Sequence, residues 1–81
     1  MQKAKAKNES LETSVVVDVR KGDKNLIGVC ERLGVITEGR DVDELRRNLR
    51  EAIDLSLEDG ENLEYGICEK PEIVLNMNKN E

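Results

Sequence analysis

The most reactive side chains in this chain of 81 residues are two cysteines, Cys30 and Cys68. The chain has no histidine, so the commonest general base and metal ligand of proteins is missing. Two thiolates without histidine do not complete the four-ligand set of a structural zinc site within one chain. The cysteines are far apart and follow no paired spacing, so we expect each to be a small buried apolar residue with a reduced thiol.

The glycines do not form the closely spaced pattern that cradles phosphate groups. The six glycines are scattered along the chain between positions 22 and 66. These residue types therefore predict a protein that is not an enzyme, with no catalytic residues, no cofactor and no bound metal.

Net charge is the stronger chemical signal. The chain carries −5 at pH 7, and residues 41–60 alone hold seven acidic and three basic side chains. An acidic surface disfavours binding to nucleic-acid phosphates, so we expect no direct nucleic-acid binding. It suits a basic protein partner, because complementary charge accelerates encounter. Solubility alone is the other explanation of such a charge.

Polar segments at both ends predict one domain between two extensions. Residues 1–12 lack apolar periodicity and are predicted to form a flexible tail, residues 13–76 a single domain, and residues 77–81 a polar end. No apolar run approaches the roughly 20 residues of a membrane span, and no secretory signal follows the basic start. We therefore expect a cytoplasmic protein without membrane contact.

The apolar pattern of residues 13–38 predicts three strands. The first, residues 13–20, alternates three valines on one face with Val16 and Asp18 on the other. A turn-rich segment then leads into a second strand, residues 26–31, that pairs back as a hairpin. Residues 35–38 form a short third strand. Gly39 ends it, where we expect a backbone conformation that glycine adopts at low cost.

An amphipathic helix is predicted directly after these strands. Asp41 is a good N-cap, Glu44 sits three residues on as in a capping box, and Gly60 is placed as the C-terminal cap. A largely apolar stripe at helical spacing comprises Val42, Leu45, Leu49, Ala52, Ile53 and Ser56, with Leu57 beside it. Three side chains outside the stripe are candidate partner-binding residues, although a solvated helix face explains each of them singly better than binding does: Arg46, Arg50 and Asp54.

The segment after the helix carries weaker signals. Residues 61–68 fit either a loop or a poor strand. Pro71 cannot donate to a ladder, so we expect it to open the last strand, residues 72–75. The predicted fold is thus α+β, in the order β-β-β-α-β. Its antiparallel sheet has the helix packed on one face, and the other face is open to solvent or to a partner.

The stretch from Leu26 to Ile53 resembles the HicB-type antitoxin domain, and the similarity extends over roughly residues 13–75. Family members show a strand, a Pro-Gly bend, a short strand ending in Gly, and a helix that opens with Asp-Thr and two acidic residues. An Asn and a Glu-Ala pair follow along that helix. The matching residues here are Leu26-Ile27-Gly28-Val29-Cys30, Leu33 to Gly39, Asp41-Val42-Asp43-Glu44-Leu45, Asn48 and Glu51-Ala52. The chain departs from the pattern in Leu33, in Arg40-Asp41 and in the absence of aromatic residues from its strands.

The resemblance implies a partial ribonuclease-H-like fold without catalysis. Members of the family bind a small basic RNA-cleaving toxin and mask its active site, so a HicA-like toxin is the expected partner. They also form dimers or larger assemblies. Longer members carry a C-terminal DNA-binding module, whereas we expect this chain to be a short, single-domain member without one.

Two other functions stay open beside the antitoxin. A stand-alone homodimeric regulatory or structural module needs no toxin. A metal-dependent nuclease would use Asp18, since active ribonuclease H folds place a metal-binding carboxylate in their first strand. A homodimer is expected in either binding role, because the exposed sheet face and edge strands of so small a domain favour pairing.

Overall fold

The structure, a computed structural model, describes residues 11–77. The predicted tail (1–12) and polar end (77–81) lie mostly outside these residues. Six elements follow in order: β1 (Glu12–Lys21), β2 (Leu26–Cys30), β3 (Val35–Gly39), α1 (Val42–Ser56), α2 (Glu61–Tyr65) and β4 (Ile67–Met77). The predicted α+β class is confirmed, as a four-stranded sheet with two helices.

The sheet is mixed, with strand order β3-β2-β1-β4. The predicted hairpin of β1 and β2 is present, and β2 also pairs with β3 in antiparallel fashion. β4 pairs with β1 in parallel, so the prediction of a wholly antiparallel sheet was wrong. The reason is the helix. β1 and β3 run in the same direction, and α1 returns the chain across the sheet to the end where β1 begins.

The core between α1 and the sheet is aliphatic. Val17 of β1 and three residues of α1, Leu45, Leu49 and Ile53, are fully buried, which confirms the predicted valine face and most of the helix stripe. Val42 is exposed because the helix first reaches the sheet one turn later.

Gly39 is needed for a reason that the sequence did not suggest. Its φ is not positive, whereas Gly34, Gly60 and Gly66 have positive φ values. A Cβ on Gly39 would instead lie 2.5 Å from the backbone nitrogen of Leu45 and 2.7 Å from its Cα. Glycine at this position therefore allows the first turn of α1 to pack directly on the end of β3.

The N-terminus of α1 is capped by two side chains. The Asp41 carboxylate accepts a hydrogen bond from the backbone N–H of Glu44 at 2.9 Å, which confirms it as the N-cap. The Glu44 carboxylate accepts from the backbone N–H of Arg40 at 2.7 Å. This reciprocal bond reaches one residue farther back than in a capping box, where it would go to the N-cap itself.

The end of α1 differs from the prediction. The helix ends at Ser56 and Leu57 is its C-cap, so Gly60 is not the C-terminal cap. Residues 57–60 form a further turn, in which Asp59 has a φ of 53°. Gly60, with a φ of 83°, lies directly before α2. A loop or poor strand was expected over residues 61–68, whereas residues 61–65 form α2 and residues 67–68 begin β4.

Pro71 lies inside β4 and not at its start. Between the paired stretches, β1 advances from Glu12 to Ser14 while β4 advances from Ile67 to Glu72. The three additional residues of β4 form a bulge that contains Pro71. A proline is tolerated there because β4 is an edge strand and a bulge removes the residue from the ladder.

The contact at Gly39 gives a direct test of the helix position. Substitution Gly39→Ala places a methyl group against backbone atoms of α1, which cannot rotate away. We expect a loss of unfolding free energy at or above the roughly 1–3 kcal/mol typical of overpacking, measured by urea denaturation. Gly28→Ala is the control, because a Cβ there meets only side-chain atoms at 3.2–3.3 Å. A cost for Gly39→Ala no larger than that of the control would contradict this packing.

Candidate functional site

Two of the three predicted binding residues link α1 to β4. The Arg50 guanidinium contacts the Asp54 carboxylate at 3.1 Å and donates to the carbonyl oxygen of Pro71 at 2.6 Å. Lys70 of β4 lies 3.4 Å from the other Asp54 oxygen. The Pro71 carbonyl lies in the bulge between the two paired stretches of β4. Arg50 and Asp54 therefore hold this bulge against the helix, whatever else they bind.

Arg46, the third predicted residue, is exposed on α1. It makes no hydrogen bond or ion pair with any other residue between 11 and 77. Its guanidinium thus projects into solvent without a structural partner in that range. A binding role for the three residues stays a prediction, and only Arg46 among them is unoccupied by contacts within the described fold.

A shallow concavity of about 220 Å³ lies where the end of α1, the following turn, α2 and the start of β4 meet. Eight residues line it: Asp54, Leu57, Glu58, Asp59, Gly60, Asn62, Glu69 and Lys70. Four of them carry carboxylates and one carries an ammonium group. We call these four carboxylates, on Asp54, Glu58, Asp59 and Glu69, the acidic surface.

Specific contacts hold α2 in place beside the acidic surface. Asn62 is buried and donates through Nδ2 to the carbonyl oxygen of Ile67 at 2.8 Å. Arg32, in the bend after β2, donates to the carbonyl oxygen of Tyr65 at 2.7 Å and contacts Glu12 at 2.6 Å. The bend and the start of β1 are thereby tied to the C-terminal end of α2.

The acidic surface was missed in the sequence because its members come from separate elements. Asp54 belongs to α1, Glu58 and Asp59 to the turn, and Glu69 to β4. The only local signal was the excess of acidic residues over 41–60. The short helix that brings Glu69 back toward Asp54 was not predicted.

Other reactive side chains lie elsewhere and have structural partners. Asp18 sits on the opposite face of the sheet, where its Oδ1 accepts from Asn76 Nδ2 at 3.0 Å. Cys30 is buried in the core as predicted, whereas Cys68 is only partly buried, and both thiols are free. Across residues 11–77 no group of three or more cysteine, aspartate or glutamate side chains is arranged to hold a metal ion.

The clearest pKa shifts lie at the far end of α1. The pKa of Glu44 is lowered, chiefly by the hydrogen bond from the backbone N–H of Arg40 and then by that from the Arg40 side chain. The pKa of Arg40 is raised by the same side-chain hydrogen bond. These shifts belong to the helix cap and do not involve the acidic surface.

No protein family, curated protein or solved structure matches the chain in comparisons with all three. The resemblance to HicB-type antitoxins therefore stays an expectation carried by the residues themselves. None of the helices formed by the described residues is long and apolar enough to cross a membrane.

The Glu44 cap predicts how stability depends on pH. A lowered pKa in the folded state means that Glu44 contributes stability above its unfolded-state pKa and loses that contribution as the pH falls through its folded-state pKa. We expect Glu44→Gln to destabilise the protein at neutral pH, with the difference from wild type vanishing by about pH 2, below the ordinary range of carboxyl groups. Asp43→Asn is the control, because Asp43 is exposed on the same turn. Urea denaturation of the three proteins at both pH values is the measurement, and a difference that persists at the acid pH would contradict it.

The link through Arg50 predicts a contrast between two arginines of one helix. Arg50→Ala removes the contacts with Asp54 and with the Pro71 carbonyl. Since the Arg50 side chain is 37% exposed, we expect a loss of about 1 kcal/mol, discounted for solvent screening. Arg46→Ala is expected to change the unfolding free energy by less than about 0.5 kcal/mol. Equal effects of the two substitutions in thermal or urea unfolding would show that the link between Arg50 and β4 does not contribute to the free energy of unfolding.

Proposed function

We propose that the chain is a non-catalytic binding protein, an antitoxin of the HicB type that neutralises a small basic RNA-cleaving toxin by covering the toxin's active site. The observation that carries this proposal is the acidic surface around the concavity, together with the helix segment that resembles the family. A protein that cleaves RNA must attract phosphates, so its active site presents positive charge. Carboxylates grouped on a rigid surface offer that site the charge that RNA would offer.

The geometry of the acidic surface suits this role. Glu58, Asp59 and Glu69 are exposed, so their charges remain available to a partner. Glu61 and Glu64 of α2 are also exposed and extend the negative charge beyond the concavity. Asp54 is already engaged by Arg50 and Lys70, so it contributes less net attraction than its neighbours.

A partial ribonuclease-H-like fold is part of the same proposal. A single long helix across one face of a small sheet is compatible with the partial ribonuclease-H-like fold that the resemblance implies. The pairing of Asp18 with Asn76 is typical of a structural side chain and supports a binding role over a nuclease. Cytoplasmic location accompanies the proposal, since that is where a toxin directed at cellular RNA would act.

A stand-alone homodimeric module is the second candidate function. The observation that favours it is the open face of the sheet, where Ile36 is 71% exposed and Val16 is 55% exposed. Such a module would account for this face without any toxin. An isolated gene and no rescue of growth when candidate toxins are co-expressed would favour the second function.

The antitoxin proposal predicts that a small basic protein is encoded beside this gene, and it is tested with that protein by co-purification, by growth rescue and by measured affinity. We expect Glu58→Lys combined with Glu69→Lys to weaken binding roughly tenfold or more, because charge reversal places like charges together. Asp23→Lys combined with Glu38→Lys is the matched control. It makes the same charge change at the other end of the sheet. There, Asp23 lies in the turn between β1 and β2, and Glu38 lies near the end of β3.

Two outcomes would count against the proposal. If the neighbouring protein neither co-purifies with the chain nor is neutralised by it, the antitoxin function is wrong. If both charge-reversed pairs weaken the complex equally, binding responds to net charge and the acidic surface is not the site.

A further inference from the structure

We propose that the open face of the sheet, on the side away from α1, binds a basic amphipathic helix of a partner protein. The site is an aliphatic band that crosses all four strands and has carboxylates on both flanks. The acidic surface around the concavity lies on the helix side of the sheet, so the two sites are separate. The inference goes beyond the proposed function and does not depend on it.

The aliphatic band runs diagonally over the open face. Val16 of β1 lies directly opposite Val74 of β4, and Val29 of β2 lies directly opposite Ile36 of β3. The two rows are one outward step apart, because Val29 is the partner of Asp18, the next outward residue after Val16. The band therefore continues from one edge strand to the other.

No element formed by residues 11–77 covers the aliphatic band. Val15 and Val17, which alternate with Val16 along β1, are buried on the helix side, so the band faces away from the helices. Ile36, Val16 and Val74 are 71%, 55% and 42% exposed. A contiguous apolar surface with a polar rim is typical of an interaction site.

Carboxylates lie on both flanks of the band. Glu72 and Glu31 lie on one flank, each one outward step along the chain from a band residue. Asp18 and Glu38 lie on the other flank, together with Arg20. These four negative charges and one positive charge give the face a net charge of −3.

The negative charge of the flanks is not cancelled by ion pairs within the described part of the chain. Asp18 accepts a hydrogen bond from the Asn76 amide at 3.0 Å, and a neutral donor leaves the charge in place. Arg32, which follows Glu31, and Lys70 of β4 are engaged by other carboxylates. The flanks therefore favour a partner that carries lysine or arginine.

The shape of the band suits a helix. It spans three strand spacings of about 4.8 Å and one outward step of about 6.6 Å, roughly 16 Å in all, which is the length of about 11 helical residues. An apolar stripe of three turns would cover the band, and flexible basic side chains beside that stripe would reach the carboxylates on both flanks. Such a helix would complete a layer on the face that the helices of this chain leave open.

Other occupants fit the open face less well. A second copy of the chain would set the same excess of carboxylates against this one, and nucleic acid or anionic lipid would also meet like charge. The whole face measures roughly 19 Å by 20 Å, which accommodates one helix but is less than the about 800 Å² per partner of a standard interface. We therefore expect a transient complex with a Kd on the order of 10–100 μM.

A synthetic peptide of about 14 residues is the probe, with leucines in one helical stripe and lysine or alanine at the other positions. Isothermal titration calorimetry with the full chain should give a Kd in the stated range. One control peptide has the same composition with its leucines scattered around the helix, and another has glutamate in place of every lysine. Each control should bind at least about tenfold more weakly, because it lacks the stripe or the positive charge.

Paired substitutions without a charge change test the band itself. Val16→Thr combined with Ile36→Thr removes apolar contact but keeps β-branched residues that suit a strand, and it should weaken peptide binding at least about fivefold. Leu55→Gln combined with Leu63→Gln is the matched control, since these leucines are 62% and 57% exposed on the helices. The control should bind the peptide as wild type does.

Paired neutralisations of carboxylates distinguish the open face from the acidic surface. Glu31→Gln combined with Glu72→Gln should weaken peptide binding more than Glu58→Gln combined with Glu69→Gln, although both pairs change the net charge equally. The salt dependence of binding should decrease in the first pair, because fewer charges then face the peptide.

Methyl NMR spectra locate the peptide without any substitution. Added peptide should shift the methyl resonances of the outward residues Val16, Val74 and Ile36. The methyl groups of Val17 and Leu49, which are buried between the sheet and α1, should shift far less.

The results bear on this inference separately from the antitoxin proposal. Failure of the basic peptide to bind, or equal binding of either control peptide, overturns the inference. Methyl shifts confined to the helices, or equal effects of the two neutralised pairs, overturn it as well. Dimeric wild type whose outward methyl groups do not respond to peptide also overturns it and assigns the face to a second copy. Toxin binding is measured with the charge-reversed Glu58 and Glu69 variant, so its loss is observed independently of the open face.

Discussion

The close approach of α1 to the sheet is the constraint on which the rest of the structure depends. The core contains no phenylalanine or tryptophan, and short aliphatic side chains fill the space between two layers only when those layers are near each other. Gly28 and Gly39 provide that proximity. A Cβ at either position would meet Leu45, through its side chain in one case and its backbone in the other. The helix is thereby fixed at its start, and its direction across the sheet follows.

The position of α1 determines where the chain can go next. Because the helix spans the sheet, it delivers the chain to the end where β1 begins, and β4 then runs beside β1. The turn, α2 and the bulge of β4 occupy that end. There the Arg50 guanidinium donates a hydrogen bond to the Pro71 carbonyl oxygen. The acidic surface forms at the same place, since the acidic residues at the end of the helix meet those that begin the last strand.

Features encoded by neighbouring residues were predictable, whereas those made by distant residues were not. The alternation of Val15 and Val17 and the spacing of Leu45 and Leu49 are local, and so is the Asp41 cap. The requirement for glycine at position 39 arises from contact with a helix backbone that the sequence does not place. The predicted binding residues were also limited by what local sequence can show. The sequence around Arg50 predicts a solvated helix residue, because its contact with Pro71 is made 21 positions later in the chain.

The parallel pairing of β1 with β4 has a consequence for how the protein is made. Asp18 and Asn76, which meet across these strands, are 58 positions apart. At roughly 5–20 residues per second of translation, the nascent chain carries β1 without its second neighbour for about 3–12 s. During that interval the hairpins and α1 can form, but the valines of β1 border an unpaired edge. The edge of β1 is thus open to mispairing until β4 has been synthesised and can pair with it.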